Sequence, residues 1–251
     1  MKKTEIQLIR NATLKLNYGG KTILVDPMLS PKHSFMSFVE QGKDLNPTVD
    51  MPMSISEVVG NVDAVFLTHA HPDHFDPAAM KALPRGIRMF AQVSDEATLN
   101  DTHFTNVSLV DERAQYDNIT ITRIVGKHGP DALFEVLGVV SGYILEAEGY
   151  PTIYIVGDCL WDNNIEQAIE KYNPGIIVTN SGGALFMGEN RILMDVEETV
   201  KVAQKAPGAK VIAVHVEAID HCKVSRNELK AVSEKEGLNI IAPEDGEVVS
   251  F

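Results

Sequence analysis

Six apolar runs of this chain each lead into a polar or ionisable residue, and this arrangement constrains the fold more than any other feature of the sequence. Short runs rich in Val and Ile are typical of buried β-strands. The polar residues that follow them are Asp26, His69, His128, Asp158, Asn180 and His215. In α/β proteins, sites form at the carboxyl ends of strands, where rigid elements bring short polar side chains together. The sequence therefore predicts one composite site at these strand ends.

Strands and helices alternate from residue 60 onward. The β-rich runs are residues 62–68, 87–91, 107–110, 119–125, 139–145, 152–156, 176–179 and 210–214. Apolar residues at helical spacing lie between these runs, one set from Ile165 to Tyr172 and another from Val196 to Ala203. This alternation predicts an α/β fold in which helices cover the sheets.

Local signals place the ends of several elements. Residues 6–25 alternate in polarity around a turn at residues 17–20, which predicts a β-meander at the start of the chain. Asp76 before Pro77 marks a helix start, because Asp caps the helix and Pro fits its first turn. Ser225 with Glu228 three residues later has the pattern of a capping box.

The composition is that of an ordinary globular protein, with 44% apolar and 23% charged residues among 251. The sequence shows no repeat and no long linker, so we expect a single domain over residues 1–251. Acidic residues outnumber basic ones by 35 to 22, which argues against a general binder of nucleic acid or anionic membranes. No secretory signal or spanning segment is evident, and we expect a cytoplasmic protein with reduced Cys159 and Cys222.

Residues 30–53 form a segment without clear periodicity. It contains Pro31, Pro47 and Pro52 together with apolar side chains such as Phe38. These features predict an irregular loop, and two interpretations stay open: the loop covers a pocket, or it packs as an ordinary surface loop.

A dense cluster of potential metal ligands follows the run that ends at Thr68. Within six residues the chain offers His69, His71, Asp73 and His74. Imidazole nitrogens and carboxylate oxygens suit divalent metals. Alternate residues of an extended segment point the same way, and the turn at Pro72 directs the last two ligands toward a second point. The spacing therefore predicts two adjacent metal positions.

The His-x-His-x-Asp-His motif at residues 69–74, with isolated His and Asp residues downstream, resembles the metallo-β-lactamase superfamily of hydrolases. Residues 14–27 look like the branch that includes ascorbate-6-phosphate lactonase and phospholipase-type phosphodiesterases. Asn11 stands where many members of that branch carry a histidine. The resemblance implies an αββα sandwich of two mixed sheets flanked by helices, with the metals at one sheet edge.

The resemblance also implies the role of each ligand. The first metal would be held by His69, His71 and His128. The second would be held by Asp73, His74 and His215. Asp158 would bridge the two metals. Zn is the favoured metal, with Mn or Fe as alternatives.

Two histidines near the end of the chain compete for the last ligand position. His215 directly follows a strand, so we favour it as the ligand because a rigid element places it. His221 is then a candidate proton donor or contact for a substrate phosphate, although a structural role is compatible with the sequence.

The predicted centre favours hydrolysis by water that the metals activate, because a bound divalent metal lowers the pKa of water to about 7. We assign Asp73 to orient or deprotonate this water and His221 to protonate the leaving oxygen. Metal charge favours a small, anionic lactone or phosphoester as substrate. The sequence does not set the oligomeric state, and a homo-oligomer is compatible with it.

Three other functions stay open at this point. A ribonuclease-like phosphodiesterase is disfavoured by the acidic balance and by the lack of a basic recognition segment. A di-iron oxidoreductase would use the same ligand types, but the chain has no room for an additional flavin domain. A non-catalytic metal-binding module would bind metal without turnover.

Overall fold

Two seven-stranded sheets form the framework of the structure, a computed structural model that describes residues 2–251. The strands of the first sheet are β1 (Glu5–Arg10), β2 (Thr13–Tyr18), β3 (Lys21–Val25), β6 (Ala64–Phe66), β7 (Arg88–Gln92), β8 (Val107–Val110) and β18 (Val248–Ser250). Those of the second sheet are β9 (Arg113–Tyr116), β10 (Ile119–Gly126), β11 (Val140–Glu146), β12 (Ile153–Ile155), β13 (Ile176–Asn180), β16 (Lys210–Val214) and β17 (Ile240–Ile241).

Two small hairpins and the helices complete the described elements. The hairpins pair β4 (Phe35–Met36) with β5 (Asp44–Asn46), and β14 (Leu185–Phe186) with β15 (Asn190–Arg191). The helices are α1 (Ile55–Val59), α2 (Pro77–Ala82), α3 (Glu96–Asn100), α4 (Phe134–Leu137), α5 (Asn163–Tyr172), α6 (Val196–Lys205) and α7 (Arg226–Glu236), with 3-10 turns at Val93–Asp95 and Asp131–Leu133. None of the helices within residues 2–251 is long and apolar enough to cross a bilayer.

Both sheets are mixed, and they are built in the same way. The first has the order β18-β1-β2-β3-β6-β7-β8, and the second has the order β17-β16-β13-β12-β11-β10-β9. In each, antiparallel strands at one side adjoin parallel strands at the other, with β3 and β12 at the change. The parallel strands therefore present their carboxyl ends next to one another in both sheets, and these are the ends at which polar residues were expected.

The inner faces of the two sheets pack against each other. Their shared core contains Leu16 and Phe66 from the first sheet and Tyr143, Ile155 and Ile212 from the second, all almost fully buried. Alternation along each strand places every second side chain in this core. Apolar surface removed from water stabilises such an arrangement by about 25 cal/mol for each Å².

Helices cover the outer face of each sheet. On the second sheet, Ile165 of α5, Val202 of α6 and Leu229 of α7 join one apolar cluster. On the first sheet, Val58 of α1 and Ala79 of α2 join another. The layers are therefore helix, sheet, sheet and helix, which confirms the predicted αββα sandwich.

Most predicted elements coincide with observed ones, and the exceptions have a common cause. The meander β1-β2-β3, the Asp76 cap and the Ser225–Glu228 capping box are present. The prediction omitted β9, β17 and β18, which are edge strands of two to four residues. An edge strand lacks the continuous apolar run by which a central strand is recognised. Residues 30–53 contain the hairpin β4–β5 and are thus more ordered than the predicted irregular loop.

Candidate metal centre

The structure brings together all seven residues that the sequence proposed as metal ligands. His69, His71 and His128 form one group, which we call the imidazole group. Asp73, His74, Asp158 and His215 form a second, which we call the carboxylate group. Within each group, the ligand atoms all lie within 4.8 Å of one another. No residue of the proposed ligand set lies elsewhere in the fold.

The turn after β6 places four of these side chains. The amide N–H groups of His74 and Phe75 both donate to the carbonyl of His71, at 2.9 Å each, so the chain reverses sharply after Pro72. Asp76 then caps α2 by accepting from the amide of Ala79 at 2.8 Å. Strand, turn and helix together hold the motif rigidly, which a group of converging ligands requires.

Asp158 lies between the two groups. Its Oδ2 atom is 3.2 Å from His74 Nε2 and 3.7 Å from His215 Nε2 in the carboxylate group. The same atom is 3.8 Å from His128 Nε2 and 4.0 Å from His69 Nε2 in the imidazole group. One carboxylate oxygen therefore faces ligands of both groups, which is the position of a bridging ligand.

The Nδ1 atoms of three ligand rings have partners that orient the rings. His74 Nδ1 lies 2.9 Å from Asp26 Oδ2, and His128 Nδ1 lies 3.0 Å from the carbonyl of Ile192. His69 Nδ1 lies 3.0 Å from Thr68 Oγ1. Such outer partners fix the tautomer and leave Nε2 available to a metal.

Asp26 supports this arrangement more broadly, and its role was not predicted from the sequence. Its carboxylate accepts from the amide of Thr68 at 2.8 Å and from Thr68 Oγ1 at 2.6 Å. It thus orients His74 directly and His69 through Thr68. The only signal in the sequence was its position after the run that ends at Val25, which indicated the site but not the role.

Two asparagines hold the carboxylate group. Asn180 Nδ2 donates to Asp158 Oδ1 at 2.5 Å. The side chain of Asn11 donates from Nδ2 to the backbone carbonyl of Asp73 at 3.0 Å. The backbone carbonyl of Asn11 accepts from the amide of His215 at 2.9 Å. Asn11 and His215 both adopt positive φ, 57° and 58°, a conformation that costs free energy and is typical of functional sites.

Burial favours the neutral form of all three rings in the imidazole group. Burial lowers the pKa of His69 well below 6.5, and nearby His74 and His71 lower it further. Burial also lowers the pKa of His71, and it lowers that of His128 to about 4. Neutral imidazole is the form that binds metals.

The two carboxylates of the carboxylate group stabilise positive charge on its two imidazoles. Burial alone would raise the pKa values of Asp73 and Asp158, but the charges of His74 and His215 lower both. Burial would lower the pKa of His74, but the surrounding carboxylates raise it to about 10. The pKa of His215 is raised well above its usual value despite burial, chiefly by Asp158.

The donor set fits divalent metals. The Nε2 atoms of His74 and His215 are buried and face carboxylate oxygens of Asp158 and Asp73 at 3.2 Å and 3.3 Å, so each nitrogen can bind a metal once its proton is released. Five imidazoles and two carboxylates supply the nitrogen and oxygen donors that Zn, Mn and Fe accept. The residues present therefore suit the metals that the sequence predicted.

Comparison with known proteins identifies the family. The profile of the Beta-lactamase superfamily domain matches residues 21–216, which is most of the chain. The chain belongs to the beta-lactamase superfamily. It is 38% identical to the UPF0173 protein YddR of Bacillus subtilis (strain 168), over 98% of this chain and 99% of that protein.

Two solved structures of this superfamily fold are similar along the whole chain. One is an isothiocyanate hydrolase from Delia radicum gut bacteria, with 34% identity, a TM-score of 0.92 and 98% of each chain covered. The other is a possible metal-dependent hydrolase from Veillonella parvula DSM 2008, with 32% identity, a TM-score of 0.93 and 99% of each chain covered. The chain is thus a metal-dependent hydrolase of the beta-lactamase superfamily. Its place in the ascorbate-6-phosphate lactonase-like branch stays a prediction.

A cavity of about 330 Å³ opens onto the candidate metal centre. His71, Asp73, His128 and Asp158 form its floor. Its walls also include Ser37, Gln41, Pro72 and His221, but most of their side chains are apolar, namely Met36, Phe38, Val39, Val136, Leu137, Leu185, Phe186, Met187 and Ile192. Among the described residues that line it there is no Lys or Arg. Of the two interpretations of residues 30–53, pocket cover is the one observed.

His221 lies beside the centre rather than among its ligands. Its ring lines the cavity, and its centroid is 6.2 Å from that of His215. His215 is fully buried, with Nε2 at 3.3 Å from Asp73 Oδ2. This placement agrees with a ligand role for His215. It leaves the His221 ring at the cavity wall, where it can contact a bound molecule.

The two cysteines of this superfamily member are free thiols. Cys159 is buried in the core, which raises the pKa of its thiol. Cys222 packs beside His215, with Sγ 3.5 Å from Nδ1. Burial alone would raise the pKa of Cys222, but the charge of His215 lowers it to about 7. Neither thiol belongs to the two ligand groups.

Proposed function

We propose that this chain hydrolyses a small substrate that combines an electrophilic carbon with an apolar substituent, and that an isothiocyanate is the leading candidate. The observation that carries the proposal is the apolar cavity, which opens onto the metal centre and has no Lys or Arg among the described residues that line it. The similar isothiocyanate hydrolase from Delia radicum gut bacteria supports the same reaction class.

The walls of the cavity favour an uncharged substituent. Burial of apolar surface contributes about 25 cal/mol for each Å², whereas an anionic group against these walls would lose hydration without gaining a partner. A phosphoester would therefore depend on the centre alone for charge compensation. For this reason we place isothiocyanates ahead of the anionic substrates that the sequence favoured.

Hydrolysis of an isothiocyanate adds one water and releases an amine and carbonyl sulfide. The water oxygen bonds to the central carbon, the carbon–nitrogen bond breaks, and both protons of the water end on the nitrogen of the released amine. We assign the ligands in two sets: His69, His71 and His128 would hold one divalent metal, and Asp73, His74 and His215 the other, with Asp158 shared. When bound, such metals supply water acidified to a pKa of about 7 and polarise the electrophile.

The protein side chains provide positioning and proton transfer. The Asp73 carboxylate lines the cavity and accepts a proton from the attacking water. The His221 ring lies at the cavity wall and gives a proton to the leaving nitrogen. The apolar side chains exclude bulk water and hold the substituent away from the centre.

A lactone with an apolar substituent is the second candidate, because the same walls would accept its chain and the same centre would face its acyl carbon. A ribonuclease-like phosphodiesterase, a di-iron oxidoreductase and a non-catalytic metal-binding module are outcomes that the following experiment separates.

The test is a substrate panel with purified protein loaded with Zn and with Mn in turn. The panel contains phenethyl isothiocyanate, sugar lactones, apolar lactones and p-nitrophenyl phosphodiesters, and oxygen consumption with a reduced electron donor is measured in parallel. We expect amine release from the isothiocyanate. Preferential cleavage of phosphodiesters, or oxygen consumption, would overturn the proposal, and metal binding without any turnover would support the non-catalytic module.

Two ligand variants connect turnover to the centre. Asp158→Asn and His71→Ala should each reduce hydrolysis by about a hundredfold or more, because each removes a proposed ligand. Asp131→Asn and His103→Ala are matched controls at exposed positions and should hydrolyse at the wild-type rate. Equal rates in the ligand variants and in the wild type would remove the assignment.

A further inference from the structure

The hairpin of residues 35–46, which we call the lid hairpin, forms one wall of the cavity. Met36, Phe38 and Val39 all face the cavity from this hairpin. Its own ladder consists of two residue pairs with a register shift between them. An isolated hairpin is marginally stable at best, so contacts outside this ladder must fix its position.

Those contacts converge on Asp220. We propose that Asp220 is a positioning residue that holds the lid hairpin against the cavity, so that Phe38 selects the apolar substituent of the substrate. The selection part of this inference rests on the proposed function, whereas the positioning part can be measured without turnover.

Asp220 binds the lid hairpin at three points. Its Oδ1 accepts from the amide of Phe38 at 3.2 Å and from Asn46 Nδ2 at 3.0 Å. Its Oδ2 accepts from the hydroxyl of Ser37. One side chain thus contacts the end of β5 and the start of the turn that follows β4.

Ser37 extends this hold into the turn. Its Oγ accepts from the amide of Glu40 at 2.6 Å and from that of Val39 at 3.1 Å. Ser37 is buried and Asp220 is half-buried, so the bond between them is partly removed from water. Carboxylate acceptors make stronger hydrogen bonds than neutral ones, which suits an anchor of this kind.

Asn46 makes the connection reciprocal. Its Oδ1 accepts from the amide of Asp220 at 2.9 Å, while its Nδ2 also donates to the carbonyl of Met36 at 3.0 Å. Its side chain is fully buried. The segment after β5 has a separate anchor, since Thr48 pairs with the carbonyls of Ala218 and Glu217. Loss of the Asp220 side chain would therefore loosen the hairpin without freeing the segment that follows it.

The hairpin in turn contacts the candidate proton donor. The ring of Phe38 stacks on that of His221, with centroids 4.9 Å apart and planes inclined by 21°. His221 follows Asp220 directly in the chain, so the same short segment supplies the anchor and the stacked ring. Phe38 thus touches both the substrate space and the ring that we assign to proton transfer.

The test compares Asp220→Ala with the conservative Asp220→Asn. Asparagine keeps one acceptor oxygen for the bonds from Phe38 and Asn46 and loses only the acceptor of the Ser37 hydroxyl, whereas alanine loses all three bonds. For Asp220→Ala we expect kcat/KM with phenethyl isothiocyanate to fall about tenfold, chiefly through KM, and to fall much less with methyl isothiocyanate. Asp220→Asn should recover most of the preference for phenethyl over methyl. An equal loss with both substrates, or no loss, would overturn the selection role.

A second measurement does not depend on turnover. The stacked Phe38 ring should shift the carbon-bound proton resonances of His221 upfield, and Phe38→Ala defines their position without that ring. We expect Asp220→Ala to move them toward the Phe38→Ala position with unchanged metal content. Resonances that stay at the wild-type position would refute the positioning role, whereas a wild type that hydrolyses no isothiocyanate would refute only the proposed function.

Asp44→Ala provides the matched control. Asp44 is an exposed carboxylate in the same hairpin. Its replacement changes the same functional group without touching the Asp220 contacts, so substrate preference and the His221 resonances should both match the wild type. A change as large as that in Asp220→Ala would show that the hairpin responds to charge in general and would overturn the proposal.

Discussion

The two ligand groups of the metal centre differ in charge and in exposure. The imidazole group consists of neutral rings with lowered pKa values, and its His71 is only half-buried. Every member of the carboxylate group is buried, and there two carboxylates raise the pKa values of two imidazoles. The first group therefore consists of rings without a bound proton charge, two of which share a hydrogen bond between His69 Nε2 and His71 Nδ1 at 3.0 Å, whereas the second binds protons when no metal is present.

This difference has a consequence for metal binding. In the imidazole group, a metal displaces no proton charge because burial lowers the pKa values of the rings, so its affinity should depend little on pH above 7. In the carboxylate group, a metal must displace protons from His74 and His215, so its affinity should rise with pH. Asp158 faces both groups and should couple them.

Replacement of the shared carboxylate should have the largest effect. We expect Asp158→Asn to lose metal from both groups and to reduce hydrolysis by about a thousandfold, because one bridging charge disappears from both positions. Metal content by mass spectrometry and initial rates would measure this. If the variant retained a full complement of tightly bound metal, the bridging assignment would be wrong.

Removal of one ring from the imidazole group should affect that group alone. We expect His128→Ala to lose one metal equivalent and to reduce hydrolysis by about a hundredfold, while the carboxylate group keeps its metal. A titration followed by calorimetry would count the sites that remain. Loss of both equivalents would show that the groups do not bind independently.

Substitution of the residues that hydrogen-bond the ligand rings should have smaller effects, which differ between the two ligand groups. Thr68→Val removes the partner of His69 Nδ1 with little change in shape, and we expect about tenfold weaker metal binding in the imidazole group only. Asp26→Asn also weakens the partner of His74, so it should reduce metal affinity in both groups. Competition with a chromophoric chelator would measure both variants. Identical effects of the two substitutions would contradict the separate roles.

The smallest effect concerns stability without metal. The folded-state pKa of His74 is about 10 against an ordinary 6.5, so its proton stabilises the fold fully below pH 6.5 and this contribution disappears as pH rises through 10. The Tm of the chelated protein should fall between pH 7 and pH 10, by about 2–4 °C for each kcal/mol lost. Thermal unfolding would measure this. His74→Gln should flatten the slope, and a Tm that rises with pH would contradict the prediction.

The sequence was informative where a signal is local or repeated. The motif at residues 69–74 and the strand ends at Asp158 and His215 indicated the site because each follows an apolar run. The central strands were recognisable for the same reason. The αββα layering was inferred from the resemblance and is confirmed by the packing of the two sheets.

The sequence was less informative about contacts between distant segments. Asp220 and Ser37 are 183 positions apart, and nothing near either residue indicates that they meet. The sequence identified Asp26 as a polar residue at a strand end. It did not identify the hydrogen bonds of Asp26 to His74 and Thr68, because these depend on how β3 aligns with β6. Edge strands such as β9 escaped because half of their surface is exposed.

The ligands come from both halves of the sandwich. His69 to His74 follow β6 of the first sheet, whereas His128, Asp158 and His215 follow strands of the second. A cation that binds ligands from both sheets would link the two sheets at the strand ends where the ligands lie. If the chain were cleaved in the exposed turn at residues 111–112, the two fragments should then dissociate less readily with bound cations than after chelation. The centre would therefore stabilise the packing of the two sheets in addition to its role in hydrolysis.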